Sequence, residues 1–266
     1  MKIDVCVKQV PASNKTRLDP VTHTIIRDGA RSILNPFDAY AVEEALRIRE
    51  RTGGRITAFT MGIPAAEEHL RRVLAVGVDD AVLLTDRAFA GSDTLATARV
   101  LASAVSADGM PDLILCGRMA TDGDTAQVGP MLAEYLGIPH VSDVAAVEEI
   151  TERSLVVRRL TDDGYVRLRV ALPALLTVLK EINIPRLPSL SGVLRAESAR
   201  ITVRDHALLG IDPGLAGLAG SATRVVATER PPLEKRAVVL KGTPEAQADA
   251  LAARLREAGI PAPKAL

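Results

Sequence analysis

The chain has 266 residues, enough for one large domain with a sizeable core, and 47% of them are hydrophobic. Its 33 basic residues balance 33 acidic ones, which argues against nucleic acid or an anionic membrane as the main partner. Only 2% of the residues are aromatic, so small aliphatic side chains must fill the core, as in parallel α/β sheets.

The first half of the chain alternates short apolar runs with helical patterns. The runs at residues 3–7, 55–60, 81–84 and 112–116 are typical of buried strands. After each run, apolar side chains recur every three or four residues, as on one face of a helix. This alternation predicts an α/β fold with a doubly wound parallel sheet.

The amino terminus has the pattern of a strand rather than of a signal peptide. Asp4 interrupts a short apolar run that has no cleavage site after it, and no window approaches ~18 apolar residues. Cys6 and Cys116 lie in predicted strands and are expected to be buried thiols rather than a disulfide. We therefore expect a cytoplasmic protein without a membrane span.

Residues 17–30 alternate and turn like a small hairpin. His23 lies in this hairpin without a second His or Cys at ligand spacing, so we expect a surface residue.

Residues 117–130 link the end of a predicted buried strand to the start of a predicted helix. In open α/β sheets, ligands bind at such loops. Asp124 or Thr125 is predicted to cap the helix, and the free N–H groups there would suit a phosphate. Asp122 and Gln127 add hydrogen-bonding groups. The same features also fit an ordinary polar loop with a capped helix, and the pattern alone leaves both interpretations open.

Three other positions could face the same ligand. Lys8 ends the first strand and could reach a phosphate, although a solvated lysine is commoner there. Asn35 is predicted to cap a helix that has Pro36 at its first position. Gly91 precedes a third helix start, for which Ser92 or Asp93 is the predicted cap.

The second half of the chain changes pattern. Four strand-like segments at residues 141–150, 154–160, 165–172 and 174–179 are predicted as antiparallel strands appended to the parallel sheet. Pro185 and Pro188 then end the regular structure. Residues 185–266 are predicted to form an extended carboxyl-terminal arm with one helix, at residues 244–258, laid over a partner. We therefore expect the chain to divide into an α/β domain, residues 1–184, and an arm, residues 185–266.

Several catalytic patterns are absent from the sequence. It has no Gly-x-Gly-x-x-Gly after the first strand, no Walker loop, no Gly-x-Ser-x-Gly turn and no metal-spaced His/Cys cluster. Asp122 and Asp124 could form an acid–base pair, but carboxylates two residues apart in an open loop more often bind hydroxyls or cap a helix. We expect no catalytic side chain and no metal.

Four motifs, in this order and spacing, resemble the beta subunits of electron transfer flavoproteins, and the resemblance runs over nearly the whole chain. They lie at residues 7–11, 35–45, 60–62 and 117–130. The resemblance implies a Rossmann-like, adenine-nucleotide-binding fold and a heterodimer whose alpha subunit carries an FAD. It places the nucleotide site of this chain at Cys6, Lys8, Asn35, Pro36, Phe37, Asp38, Met61, Gly62, Gly91, Asp93, Thr94, Gly117, Arg118, Met119, Ala120, Thr121, Asp122, Gly123, Asp124, Thr125, Ala126, Gln127 and Val128.

The resemblance is to the electron-bifurcating type within that family. Such members bind a second FAD in the beta subunit, accept electrons from NADH and carry sequences similar to residues 89–94 and 122–130. Members with a structural AMP have Asn where Ala126 stands and Thr where Val128 stands. Met119 departs from the usual Gln, which puts one side-chain contact to the nucleotide in doubt.

Residues 183–190 resemble the loop by which the family docks acyl-CoA dehydrogenases, with Leu190 as the anchoring leucine and Leu187 nearby. Without the resemblance, a Pro-stiffened linker packed on its own domain would be the simpler interpretation.

Three functions stay open at this stage. The leading one is a redox subunit that binds FAD, with NADH oxidation only in the heterodimer. The second is a structural subunit that binds AMP. The third is a nucleotide sensor or adenylate-transferring enzyme, although the segment after the first strand lacks the expected glycines.

Overall fold

The computed structural model describes residues 1–12, 17–18, 25–26, 32–227 and 237–260. These residues form thirteen strands and six α-helices. The strands are β1 (Lys2–Cys6), β2 (Gln9–Pro11), β3 (Arg17–Leu18), β4 (Ile25–Ile26), β5 (Ser32–Leu34), β6 (Arg55–Met61), β7 (Asp80–Leu84), β8 (Leu113–Gly117), β9 (His140–Ile150), β10 (Ser154–Thr161), β11 (Gly164–Ala171), β12 (Ala174–Val178) and β13 (Thr202–Arg204). The helices are α1 (Pro36–Thr52), α2 (Glu67–Val76), α3 (Thr94–Ala107), α4 (Val128–Leu136), α5 (Leu190–Ser198) and α6 (Pro244–Glu257).

Nine strands form the central sheet, in the order β11-β10-β9-β12-β8-β1-β6-β7-β13. The strands from β9 to β13 in this order pair in parallel, whereas β10 and β11 add an antiparallel hairpin at one edge. The chain runs from β1 to β6 and β7 on one side and then crosses back to β8 on the other side of β1. The predicted doubly wound α/β fold is confirmed.

Helices cover both faces of the sheet, because alternate residues of each strand point to opposite faces. Ile3 and Val5 pack in one core cluster with Leu46 of α1 and Leu70 of α2. The opposite cluster joins Phe59 to residues of α3 and α4.

The direction of β12 differs from the sequence prediction. Residues 141–150 and 174–179 were both predicted as antiparallel additions, but β12 lies between β8 and β9 and runs parallel to both, so β9 also follows the direction of the parallel sheet. All five residues of β12 are buried, as a strand with helices over both faces requires.

Two elements after Pro188 were not predicted. The α5 helix packs on α2, where a Cβ on Gly192 would lie 2.1 Å from the Ala75 carbonyl oxygen. The β13 strand pairs with β7 and extends the sheet. The compact unit runs from Met1 to Val226 and thus includes both elements, which lie beyond the expected division at residue 184.

Residues 227–266 form a second unit, in which the structure describes residue 227 and residues 237–260. It contains α6, and the Thr243 side chain caps this helix by accepting a hydrogen bond from Ala246 N. The helix matches the one predicted at residues 244–258. Its packing on an alpha subunit stays a prediction.

The predicted hairpin at residues 17–30 lies mostly outside the described residues, as does His23. Its two described pieces, β3 and β4, pair in antiparallel fashion. Among the helices that the structure describes, none is long and apolar enough to cross a membrane.

Asp4 is a charged residue in the middle of β1, the strand between β6 and β8. Its side chain is fully buried, and neither carboxylate oxygen has a hydrogen-bond partner among the described residues. Burial raises the pKa of Asp4 to about 7, and the charge of Lys2 offsets this only in part. The folded chain therefore favours the protonated form, so the contribution of Asp4 to stability is full at low pH and is lost as the pH rises through about 7.

We expect Asp4→Asn to be more stable than the wild type at high pH, because the amide cannot ionise. The advantage in free energy of unfolding should grow by about 3 kcal/mol between pH 5 and pH 8. Urea unfolding of the full chain, followed by circular dichroism at both pH values, measures it. Asp162→Asn, in the exposed turn between β10 and β11, is the control and should follow the wild type. An advantage that is equal at both pH values would contradict the expectation.

Candidate functional site

The carboxyl ends of β1 and β8 lie side by side at the switch point of the sheet, and we call this position the crevice. The chain leaves β1 toward one side of the sheet and reaches β8 on the other, so the following segments diverge there. Such a switch point is the usual ligand site of an open α/β sheet. The structure brings residues from three of the predicted segments together here: Lys8, the start of α1 and the loop from Arg118 to Gln127.

Asn35 links the start of α1 to this loop. Its Nδ2 donates to Asp38 Oδ1 at 2.9 Å and to the Met119 carbonyl oxygen at 2.8 Å. Its Oδ1 accepts a hydrogen bond from Thr121 N at 3.2 Å. Asn35 is the N-cap residue of α1, as predicted, but its side chain makes no cap hydrogen bond to the helix. Instead, it fixes the loop against the helix.

Asp38 is buried beneath the crevice. Its Oδ2 accepts a hydrogen bond from Lys8 N at 2.7 Å. Burial raises the pKa of Asp38 to about 7, while hydrogen bonds from Asn35 and from the Lys8 and Gly117 backbone partly offset the effect. The carboxyl group thus joins β1, β8 and α1 through a network whose charge changes near neutral pH.

Gly117 allows β8 to end directly against α1. A Cβ at this position would lie 2.4 Å from Asp38 Oδ1 and 2.6 Å from the Phe37 carbonyl carbon. The requirement here is for space, and any larger residue would push the loop away from the helix.

Lys8 and Asp122 form an ion pair across the crevice, with Nζ 2.7 Å from Oδ1. The Asp122 side chain is almost buried, whereas that of Lys8 is partly exposed. The pair holds the middle of the loop against β1 and leaves part of the lysine open to solvent.

The end of the loop, residues 123–127, is exposed. Asp124 and Ala126 have φ values of 50° and 53°, which are uncommon for residues other than glycine. The N–H groups of Thr125, Ala126 and Gln127 donate to no residue that the structure describes. The predicted cap at Asp124 or Thr125 is wrong, because α4 begins only at Val128, after Gln127, and has no side-chain cap.

These open N–H groups precede the positive end of a helix, which is an arrangement suited to a phosphate. Together with the carboxylates, the threonine hydroxyls and Lys8, they form a donor and acceptor set that fits an adenine nucleotide.

The turn before α3 adjoins the loop through Thr94, whose Oγ1 lies 3.0 Å from Gln127 Oε1. Asp93 caps α3, as predicted, by accepting a hydrogen bond from Ala96 N at 3.0 Å. Its other oxygen accepts hydrogen bonds from the N–H and hydroxyl of Thr223. Gly91 packs against Leu218 with a φ of 75°. Of the three predicted residues in this turn, Thr94 therefore lies nearest to the loop.

The remaining predicted residues lie at the same edge of the sheet. Cys6 is buried on β1 beside Cys116 of β8, and the hydrogen bond between the two thiols, with burial, raises the pKa of Cys6. Met61 ends β6, and Gly62 N donates to the Leu84 carbonyl oxygen at 3.0 Å. Pro36 and Phe37 form the first turn of α1.

Asp143 is a crevice residue that the sequence pattern gave no reason to select. It lies within β9 with a φ of 58°, and its Oδ1 lies 3.1 Å from Arg118 Nε at the start of the loop. The sequence pattern of a strand gives no sign of such a residue. Its left-handed backbone occurs where the pairing of β9 with β12 shifts register.

A second candidate site lies away from the crevice, around residues 183–190. Leu187 and Leu190 are 89% and 78% exposed. No group of acidic, His and Cys side chains among the described residues could hold a metal ion.

Comparison with known proteins identifies the family. The sequence model of the electron transfer flavoprotein domain matches residues 22–209. The beta subunit of an electron transfer flavoprotein from Thermoanaerobacterium thermosaccharolyticum is 49% identical over 245 residues, 91% of this chain and 93% of the relative.

Two further relatives match over almost their whole length. The caffeyl-CoA reductase-Etf complex subunit CarD of Acetobacterium woodii is 44% identical over 262 residues, 98% of this chain and 100% of the relative. Protein FixA of Azorhizobium caulinodans is 42% identical over 263 residues, 96% of this chain and 94% of the relative. The chain therefore belongs to the electron transfer flavoprotein family, as one of its beta subunits.

Proposed function

We propose that this chain binds FAD in the crevice and works in a heterodimer with an electron transfer flavoprotein alpha subunit. The heterodimer passes electrons between NADH, the flavin of the alpha subunit and a partner of the acyl-CoA dehydrogenase type, in electron bifurcation or its reverse. The observation that carries the proposal is the exposed loop end at residues 123–127. It offers three open N–H groups, at residues 125–127, shortly after Asp122, which pairs with Lys8.

The relatives add support for the redox role. Their names include a subunit of a caffeyl-CoA reductase-Etf complex and an electron transfer subunit of acryloyl-CoA reductase. Both names associate a protein similar to this chain with the reduction of a CoA thioester. By extension, we propose that the partner of this chain also acts on a CoA thioester.

The residues of the crevice would bind and orient the nucleotide. The N–H groups of Thr125, Ala126 and Gln127 suit the pyrophosphate, and Thr94 and Thr121 offer hydroxyls to the ribose. Asn35 and Asp38 hold the loop in place from below. FAD, when bound, supplies the hydride and electron chemistry, so no side chain of this protein has to act as an acid or a base.

The alternative is a non-bifurcating subunit that holds a structural AMP. The same N–H groups would suit its single phosphate, and Met119 in place of the usual Gln leaves one fewer polar group for a larger ligand. In that case the chain would support the alpha subunit and recruit a dehydrogenase without a redox centre of its own.

Partner docking is proposed at Leu187 and Leu190. Leucine side chains that are this exposed on a proline-bounded segment suit insertion into an apolar pocket of another protein.

The nucleotide content of the heterodimer tests the proposal directly. After co-expression with the alpha subunit and reconstitution with FAD, we expect two FAD per heterodimer and reduction by NADH under anaerobic conditions. Release and quantification of the nucleotides, together with absorbance spectra, measure both. One FAD and one AMP, without a reaction with NADH, would establish the alternative.

Gly117→Ala should weaken nucleotide binding in the crevice by about tenfold or more, because the new Cβ must displace Asp38 or the start of α1. The nucleotide retained per heterodimer after gel filtration measures the loss. Gly214→Ala, outside the loop, is the control, since a Cβ at that exposed position meets only the side chain of Asp212. Full retention by Gly117→Ala would show that the contact with α1 does not shape the site.

Leu190→Ala should raise the KM for the dehydrogenase by about tenfold, as expected for a central apolar contact, with little change in kcat. The assay varies the dehydrogenase concentration at a fixed amount of heterodimer. Leu208→Ala, which truncates a leucine of similar exposure elsewhere in the same unit, should leave the KM unchanged. Equal effects of the two substitutions would argue against docking at residues 183–190.

A further inference from the structure

The docking segment, residues 183–190, presents different residues inward and outward. Ile184 and Leu187 are 82% and 89% exposed. Asn183 and Arg186 instead make contacts with α1. The Ile184 and Leu187 side chains therefore face solvent, while Asn183 and Arg186 reach toward α1.

Apolar packing beneath the segment is incomplete. A groove of about 410 Å³ lies there, lined by Pro185 and Pro188 and by residues of α1, α2 and α5 such as Val42, Val73 and Val193. A segment that spans an unfilled groove gains little from burial of its own side chains. Its position must depend on other contacts.

Those contacts are made by Arg186, which is joined to α1 by four hydrogen bonds. Its Nε and Nη2 donate to the two carboxylate oxygens of Glu43 at 2.8 and 3.1 Å, and its backbone N donates to Glu43 Oε2 at 3.1 Å. Its Nη1 donates to Glu50 Oε1 at 2.5 Å. In this forked ion pair, two guanidinium nitrogens bond the two oxygens of one carboxylate. Such a pair fixes the orientation of the arginine side chain as well as its distance from the carboxylate.

Glu43 is also unusually placed for a carboxylate. Its side chain is 4% exposed, and it accepts a further hydrogen bond from Arg47 Nε at 2.7 Å. Burial alone would raise the pKa of Glu43, but the hydrogen bonds from Arg186 and Arg47 outweigh it and hold the pKa below the ordinary value. Asn183 adds a second attachment, since its Nδ2 donates to Glu44 Oε2 and to the Tyr40 carbonyl oxygen at 3.0 Å each.

We infer that Glu43 and Arg186 are positioning residues for partner docking, because their forked ion pair holds residues 183–186 on α1 and thereby fixes the neighbouring Leu187, which faces outward. The inference rests on the docking role proposed above. A segment that is already ordered loses less conformational entropy when the partner binds, so the pair acts on affinity for the dehydrogenase and not on the redox reaction.

Trypsin tests the attachment without any partner, because Arg186–Leu187 is a bond that trypsin can cleave once the side chain is free. In the full chain, Glu43→Gln should accelerate cleavage at this bond on the order of tenfold, as read from fragment masses over time. Arg186→Lys keeps a cleavable residue and its charge but loses the fork, so an intermediate rate is expected. Glu148→Gln, which weakens an exposed ion pair with Arg167, is the control and should match the wild type.

Unchanged cleavage at Arg186–Leu187 in both Glu43→Gln and Arg186→Lys would overturn the inference. An equal acceleration at all sites would also overturn it, because the pair would then stabilise the whole fold rather than the docking segment.

Kinetics with the heterodimer connect the attachment to docking. Glu43→Gln should raise the KM for an acyl-CoA dehydrogenase on the order of tenfold and leave kcat and nucleotide content as in the wild type. If Leu190→Ala changes nothing, the proposed docking role fails, while the trypsin result still decides whether the pair holds the segment. If Leu190→Ala raises the KM and Glu43→Gln does not, only the positioning role of Glu43 and Arg186 is overturned.

Discussion

The crevice depends on one close contact, between the end of β8 at Gly117 and the first turn of α1. No side chain fits between them, so the Asp38 carboxyl group can reach the backbone of both β1 and β8. This carboxyl group joins the two strands at which the connection of the sheet reverses. The loop after β8 therefore starts from a fixed point, and Asn35 and the Lys8–Asp122 pair hold its next residues. The N–H groups of residues 125–127 donate to no described residue, and these are the groups that we propose for the nucleotide phosphate.

The α1 helix also supports the proposed docking segment. Its first turn carries Asn35 and Asp38 at the crevice, and Glu43, Glu44 and Glu50 hold residues 183–186 further along. A helix of 17 residues is about 25 Å long and bends little. The candidate nucleotide site and the segment that carries the exposed Leu187 are therefore both attached to α1.

The parts of the fold that the sequence predicted are those with strong periodic signals. Buried strands such as residues 112–116 and the helices after them follow local hydrophobic patterns, and these patterns place the crevice at the correct edge of the sheet. The parts that it did not predict depend on distant residues. Asn35 has the local features of a cap, but its side chain turns to Met119 and Thr121, some eighty positions later in the chain. The α5 helix is held on α2 by a close approach at Gly192, which no pattern within its nine residues could reveal.

The backbone of the loop bears on the identity of the nucleotide. Asp124 and Ala126 both adopt left-handed conformations, each at a cost of about 1 kcal/mol for a residue with a Cβ. The free energy of folding offsets this cost. The N–H groups of residues 125–127 are therefore already ordered before a ligand binds. Asparagine, which the sequence resemblance implies at position 126 for AMP-binding members of the family, tolerates this conformation better than alanine. Ala126 makes the left-handed backbone less favourable than asparagine would, and its side chain is only a methyl group. We take the alanine as support for the FAD of our proposal, because its small side chain is no more favourable for the backbone than asparagine would be.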